Sequence, residues 1–186
     1  MLKSNFVPRK LFFTRGVGRH QDNLLSLESA LRCAGIAKYN LVQVSSIIPP
    51  NCKFISREKG LKMLEDGQIV FLVKSQVQTN QANQLVTASI GMARIADTCN
   101  FGYLSEYHAL DLTKKACSKY SEDLAASMLA SYYKLEELNR NNIHLIDSTE
   151  LRNKKNLGVT TKSITQSAVG KKNVWTTVVS AAVMIL

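Results

Sequence analysis

The stretch Asn40-Leu41-Val42-Gln43-Val44-Ser45-Ser46-Ile47-Ile48-Pro49-Pro50-Asn51 decides how the rest of the chain is read. Its first half alternates and is rich in β-branched residues, which is the pattern of a strand. Pro49 and Pro50 stop that strand, because neither can donate to a ladder. Two adjacent serines stand before the stop. They are either a polar pair at a strand end or the two sides of a peptide bond that cleaves itself. The second reading needs a serine at position 46, whose hydroxyl attacks the Ser45 carbonyl and turns the peptide into an ester. Loss of the Ser46 α-proton then expels the Ser45 carboxylate, and hydrolysis of the resulting dehydroalanine releases ammonia and leaves a ketone. Planar amides resist such attack, so the bond must be strained or held by its neighbours. A strand pinned by two prolines offers such a hold.

Upstream, Lys10 to Thr14 reads as a strand, followed by a loop through Gly16 and Gly18 to Asp22. A helix is expected from Asn23 to Ala34, capped by Asp22 or Asn23 and ended by Gly35. Leu24, Leu27, Leu31 and Ala34 would share its core-facing side. Glu28 interrupts that side, where a carboxylate is paired, turned to water or lining a pocket.

Downstream, Ser56 to Leu64 suits a short helix capped by Ser56, and Asp66-Gly67 a turn. Gln68 to Val77 and Leu85 to Ile95 read as strands on either side of a polar turn, with Gly91 a position for close approach. Asp97 to Asn100 turns, and Phe101 to His108 is a further strand. Its alternation places Gly102, Leu104, Glu106 and His108 on one face, so Glu106 is expected to point inward. A long helix is expected from Ser121 to about Leu138, capped by Ser121, with Leu124, Met128 and Leu135 as its stripe. The polar run Asn139 to Asn142 ends it, and Ile143 to Ile146 suits a short strand. The basic region that follows suggests turns or a hairpin around Thr160 to Ser167, and Asn173 to Leu186 a final buried strand.

At 186 residues and 45% hydrophobic, the chain can bury a core within one domain spanning 1–186. Its charge of +10 is uneven: nothing after Glu150 is acidic, while Arg152, Lys154, Lys155, Lys162, Lys171 and Lys172 follow it. Aromatic residues are not interleaved with these cations, which argues against single-strand nucleic-acid binding. Cys33, Cys52, Cys99 and Cys117 are dispersed, without a Cys-x-x-Cys pair or clustered histidines. That excludes the usual zinc and disulfide patterns and fits free thiols in a reducing, cytoplasmic compartment. No signal peptide is expected in the first residues, and Val174 to Leu186 is too short to cross a bilayer.

The Asn40–Pro50 stretch resembles the processing site of the pyruvoyl-dependent arginine decarboxylases. The resemblance extends to Phe13-Thr14-Arg15-Gly16-Val17-Gly18, Ala30-Leu31-Arg32-Cys33-Ala34-Gly35-Ile36 and Ala88-Ser89-Ile90-Gly91. It continues in Gly102-Tyr103-Leu104-Ser105-Glu106-Tyr107-His108 and Trp175-Thr176-Thr177-Val178-Val179-Ser180-Ala181, and is weakest between about Leu138 and Lys172. The residues by themselves give a mixed α/β (α+β) sandwich of many strands and two long helices. The resemblance implies a four-layer αββα sandwich assembled as trimers, or hexamers, of αβ units.

It further implies cleavage into a β chain, 1–45, and an α chain, 46–186, with a covalent pyruvoyl cofactor made from Ser46. That ketone would take the substrate amine as a Schiff base and act as the electron sink for decarboxylation, without pyridoxal phosphate or a metal. Glu106 matches the catalytic glutamate that returns a proton to carbon, a task that partial burial would favour. Asn40 matches a residue near the cleavage site, where its amide could polarise a carbonyl; it could equally be the turn residue opening the strand. Glu28 resembles the acidic position that holds the substrate guanidinium, although the family more often has aspartate there. L-Arginine would be the substrate and agmatine and CO2 the products. A decarboxylase of another amino acid, or a basic homologue that never cleaves and binds RNA or an acidic partner, are the competing readings.

Overall fold

A computed structural model describes residues 6–135, 145–153 and 158–186. The described residues fold as a mixed α/β structure with two sheets and four helices. Sheet A has the strand order β2 (Asn40–Gln43), β5 (Ile69–Thr79), β9 (Trp175–Ile185), β1 (Lys10–His20), β4 (Lys53–Phe54), and sheet B the order β3 (Ile47–Ile48), β7 (Gly102–Leu110), β6 (Leu85–Ile95), β8 (Val159–Val169).

β1 runs over Lys10–His20 and pairs antiparallel with β9, Trp175–Ile185, along its whole length. It therefore continues through the expected loop. Gly16 and Gly18 are there because α1 lies directly on the strand: an added Cβ would come within 2.1 Å of the Ala30 carbonyl oxygen or 2.0 Å of that of Ser26. α1 spans Asn23–Ala34 as expected. The Asp22 side chain accepts from Leu25 N–H, and Gly35 adopts the left-handed conformation. The bonds from Gly35 N–H to Arg32 and from Ile36 N–H to Leu31 close the helix in the Schellman pattern. The buried side of α1 is Ser26, Ala30 and Ala34, not the leucine stripe, and Leu24 is 72% exposed. Only small side chains fit where strand glycines draw the helix so close.

β2, Asn40–Gln43, runs parallel to β5, Ile69–Thr79, at the edge of sheet A. β3 is Ile47–Ile48 and belongs to sheet B, pairing with β7, Gly102–Leu110. The single strand expected before the prolines is thus two, and the chain changes sheets across Val44-Ser45-Ser46. β4, Lys53–Phe54, returns to sheet A beside β1, and α2 is the short helix Arg57–Leu61 with Ser56 as its cap. β6, Leu85–Ile95, lies between β7 and β8.

α3 spans Lys114–Tyr133, with Thr113 accepting from Ala116 N–H at its start. It begins seven residues before the expected cap. Ser121 is instead a buried residue of its interior, and the burial runs through Cys117, Ala125, Ala126, Leu129 and Ala130 rather than the expected stripe. Beneath it, a Cβ at Gly91 would fall 2.1 Å from the Ser121 carbonyl oxygen. α4, Ser148–Asn153, follows, and Leu145 and Ile146 belong to no strand. The polar run at 139–142, Ile143, and Lys154 and Lys155 lie outside the described residues. In place of the expected hairpin, β8 is one unbroken strand, Val159–Val169.

Sheet A packs α1 through Phe12, Ala34, Leu72, Ala181 and Val183. It packs sheet B through Leu11, Val73, Met184, Ile90, Met92 and Leu104. Sheet B packs α3 through Ala93, Ala125, Leu129 and Leu151. β6 and β9 are buried almost throughout, as strands covered on both faces must be. Among the described residues no helix is long and apolar enough to cross a membrane.

Candidate active site

The chain's passage from sheet A to sheet B makes the site. Val44 N–H still donates to Leu72 of β5, at 3.0 Å, while the Ser46 carbonyl already accepts from Leu104 N–H of β7, at 2.7 Å. The Ser45–Ser46 peptide bond therefore spans the gap between two sheet edges, held at both ends by ladder-type bonds. Between those anchors Ile47 N–H donates to the Ser45 carbonyl at 2.9 Å, a three-residue turn centred on Ser46. The carbonyl that an attack would have to reach is thus already polarised by a backbone donor.

On the β7 side, the Ser46 hydroxyl donates to Glu106 Oε2 at 2.8 Å. A hydrogen bond to a charged group contributes about 1.5–3 kcal/mol, enough to fix the hydroxyl's rotamer. Glu106 does lie on the strand face with Gly102 and Leu104, but its carboxylate is exposed, so the expected burial is not met within one chain. β7 runs past the two residues that β3 pairs, Gly102 and Tyr103, so Glu106 has no β3 neighbour. Beside Ser45 opens a cleft of about 250 Å³ lined by Phe6, Val44, Ile47, Phe71 and Met184. It is apolar, suited to methylene groups and without an anion of its own.

The other two expected residues lie apart from this pair. Asn40 sits at the opposite end of β2, where its side-chain amide donates to the Gly67 carbonyl at 2.6 Å and closes the turn before β5. Within the chain the backbone of Ile47, not Asn40, polarises the Ser45 carbonyl. Glu28 lies on α1, outside sheet A, bonded to Arg32 at 2.7 Å one turn on. Together they line a shallow groove with Gly35, Ala37 and Lys38. The donors Ile47 N–H and Leu104 N–H were beyond sequence reasoning, because they depend on where the chain changes sheets. Among the described residues no group of three His, Cys, Asp or Glu side chains is placed to hold a metal ion.

These features define a class: a two-sheet α/β protein with a serine hydroxyl and a carboxylate poised on a backbone bond that joins the sheets. The family model for pyruvoyl-dependent arginine decarboxylase matches residues 10–186. A probable pyruvoyl-dependent arginine decarboxylase of Chloroherpeton thalassium is 49% identical, over 97% of this chain and 98% of the relative. A pyruvoyl-dependent arginine decarboxylase of Thermoplasma volcanium is 43% identical, over 98% and 99%. A second of that name, from Methanosarcina acetivorans, is 41% identical over 96% and 97%. The chain belongs to the pyruvoyl-dependent arginine decarboxylase family and is an enzyme of that kind.

Proposed function

We propose that the chain cuts its own Ser45–Ser46 bond and uses the pyruvoyl group so made to convert L-arginine to agmatine and CO2. The observation that carries this reading is the 2.8 Å bond from the Ser46 hydroxyl to Glu106, beside a Ser45 carbonyl already held by Ile47 N–H. Glu106 takes the hydroxyl proton as Ser46 Oγ bonds to the Ser45 carbonyl carbon, and the proton passes to the departing Ser46 nitrogen. The peptide becomes an ester. Removal of the Ser46 α-proton then expels the Ser45 carboxylate, and water replaces the enamine nitrogen, which leaves as ammonia. The products are chains 1–45 and 46–186.

The residues present fit a pyruvoyl group: position 46 carries the hydroxyl from which it forms, and a carboxylate lies one hydrogen bond away. When present, the group supplies an electrophilic ketone that takes up the substrate amine and stores the electron pair released with CO2. Glu106, already in reach of atoms on residue 46, returns a proton to carbon. The apolar cleft beside Ser45 receives the substrate methylenes and keeps water from the carbanion. No pyridoxal phosphate or metal has a part.

The guanidinium needs an anion, and Glu28 of the same chain is outside sheet A. Assembly as a homotrimer of αβ units, or a hexamer, brings a neighbouring copy's Glu28 to the cleft, where a carboxylate orients a guanidinium with two parallel bonds. Asn40 acts in maturation by holding the start of the cut strand through Gly67. The order α1, sheet A, sheet B, α3 supports a four-layer αββα sandwich in one domain. The enzyme is cytoplasmic, with neither nucleic acid nor membrane as partner.

Incubating purified protein with arginine or lysine and measuring CO2 release alongside a denaturing gel tests the reading. Two fragments with turnover of arginine support it; an intact chain, or preference for a neutral or acidic amino acid, overturns it.

A further inference from the structure

The two halves of the site belong to different sheets, so something must hold the sheets in register where they meet. Ser75, Ser180 and Arg15 are direct cross-strand neighbours on β5, β9 and β1 of sheet A. Each donates from its side chain to a backbone carbonyl of a different strand of sheet B. Ser75 Oγ reaches Tyr107 of β7 at 2.6 Å, Ser180 Oγ reaches Ala88 of β6 at 2.9 Å, and Arg15 Nη1 reaches Thr165 of β8 at 2.9 Å. The serines are 2% and 0% exposed, in an interface otherwise made of Leu11, Val73, Ile90, Met92 and Leu104.

Apolar contacts alone would let two sheets slide at little cost, since they are not directional. Three hydrogen bonds in one row forbid that slide, because displacement would strand buried hydroxyls. The acceptors bear directly on the site. Tyr107 is the residue after Glu106, and Ala88 pairs with His108 across the β6–β7 ladder. Ser75 lies three residues beyond Leu72, the residue that holds Val44 ahead of the Ser45–Ser46 bond.

We propose that Ser75 and Ser180 are positioning residues that fix Ser46 and Glu106, carried by sheet B, against the Ser45 carbonyl and the cleft wall, carried by sheet A, with Arg15 completing the row. The inference rests on Glu106 acting as proposed above. Displacements of about 1 Å at a reacting pair can cost about 10²-fold in rate.

The test compares Ser75→Ala and Ser180→Ala with Ser26→Ala, which removes an equally buried bond, Ser26 Oγ to Thr177 Oγ1 at 2.6 Å, on the far side of sheet A. Self-cleavage rate, kcat and KM for arginine, and melting temperature are measured for each. The expected result is a roughly ten-fold fall in cleavage rate and kcat for Ser75→Ala, with KM unchanged. Ser180→Ala falls less, and Ser26→Ala shifts only the melting temperature. In Glu106→Gln protein that has been cleaved, adding Ser75→Ala costs no further kcat per cleaved chain. Should Ser75→Ala fail to fold, Ser180→Ala is judged by the same four measurements. Serine variants that match Ser26→Ala, or a kcat loss that persists without Glu106, would overturn the clip while leaving wild-type cleavage and turnover intact. A wild type that neither cleaves nor turns over arginine sinks the parent reading instead.

Discussion

The α1–sheet A half and the α3–sheet B half solve one packing problem in the same way and then diverge. In both, a strand glycine lets a helix approach until its small residues touch the sheet: Gly16 and Gly18 under Ala30 and Ser26, Gly91 under Ser121. The A half is then filled chiefly with apolar side chains, Phe12, Leu72 and Val183 among them, and two buried hydroxyl bonds tie helix to strand, Thr14 to the Ala34 carbonyl and Ser26 to Thr177. The B half is stitched by hydroxyls. Ser89 bonds Ser121 and Thr165 at 2.7 Å, Ser105 bonds the Ser121 carbonyl at 2.6 Å, and Glu122 takes both Thr161 and Ser163 at 2.8 Å. Directional bonds resist small displacements better than apolar contacts of similar area. The half that carries Glu106 is the one with more of these bonds, while β2 of the A half leads into the Ser45–Ser46 bond.

The comparison predicts where substitutions will act. The largest effect belongs to the bond that joins the halves: Ser46→Ala removes the attacking hydroxyl, so a denaturing gel should show one intact chain and assays no decarboxylation. Two fragments from this variant would refute the scheme. Next is Glu106→Gln, which keeps the shape but offers no proton. Its kcat should fall by about 10²–10⁴-fold in protein that has been cleaved.

Glycine substitutions separate the halves. Gly16→Ala and Gly91→Ala each force a helix away from its strand, and overpacking of this kind costs about 1–3 kcal/mol. Both should lower the melting temperature. Only Gly91→Ala should also slow turnover, because Gly91 pairs with Ser105, next to Glu106, whereas β1 is three strands removed from β2. Equal kinetic losses from the two would dissolve the distinction.

The smallest effect is at acid pH in the B half. The Lys119 ammonium, 2.8 Å away, and then Thr149 N–H hold the Asp147 carboxyl down at about 2, below its usual 3.8. A depressed carboxyl stabilises the fold above its unfolded value and loses that contribution as pH falls through the folded one. Asp147→Asn should therefore melt with less acid sensitivity between about pH 4 and pH 2 than the parent, a small change because the group is exposed.

Much of this architecture is legible in the residues. α1 and β6 have the expected bounds because their signals are local: Asp22 and Gly35 for the helix, turn residues around an apolar run for the strand. β8 reads in the sequence as turns or a hairpin because its buried side is Val159, Thr161 and Thr165, and hydroxyl residues suit loops as well as a strand beneath a serine-lined helix. The helices bury small residues instead of the leucine stripes for a related reason, since leucine periodicity cannot reveal glycines on a distant strand. Ser46 and Glu106 were each named from their motifs, yet nothing sixty residues apart in sequence announces a 2.8 Å bond. Asn40 and Glu28 carry no mark of lying elsewhere in the fold, because that depends on where the chain changes sheets.

The central claim is that residue 46 becomes the cofactor. Intact-mass and fragment mass spectrometry of purified wild-type protein tests it most directly. The account predicts a 46–186 chain whose first residue is lighter than serine by one ammonia and which reacts with hydrazides as a ketone does. An uncut chain, or a 46–186 fragment that begins with an ordinary serine, would contradict it.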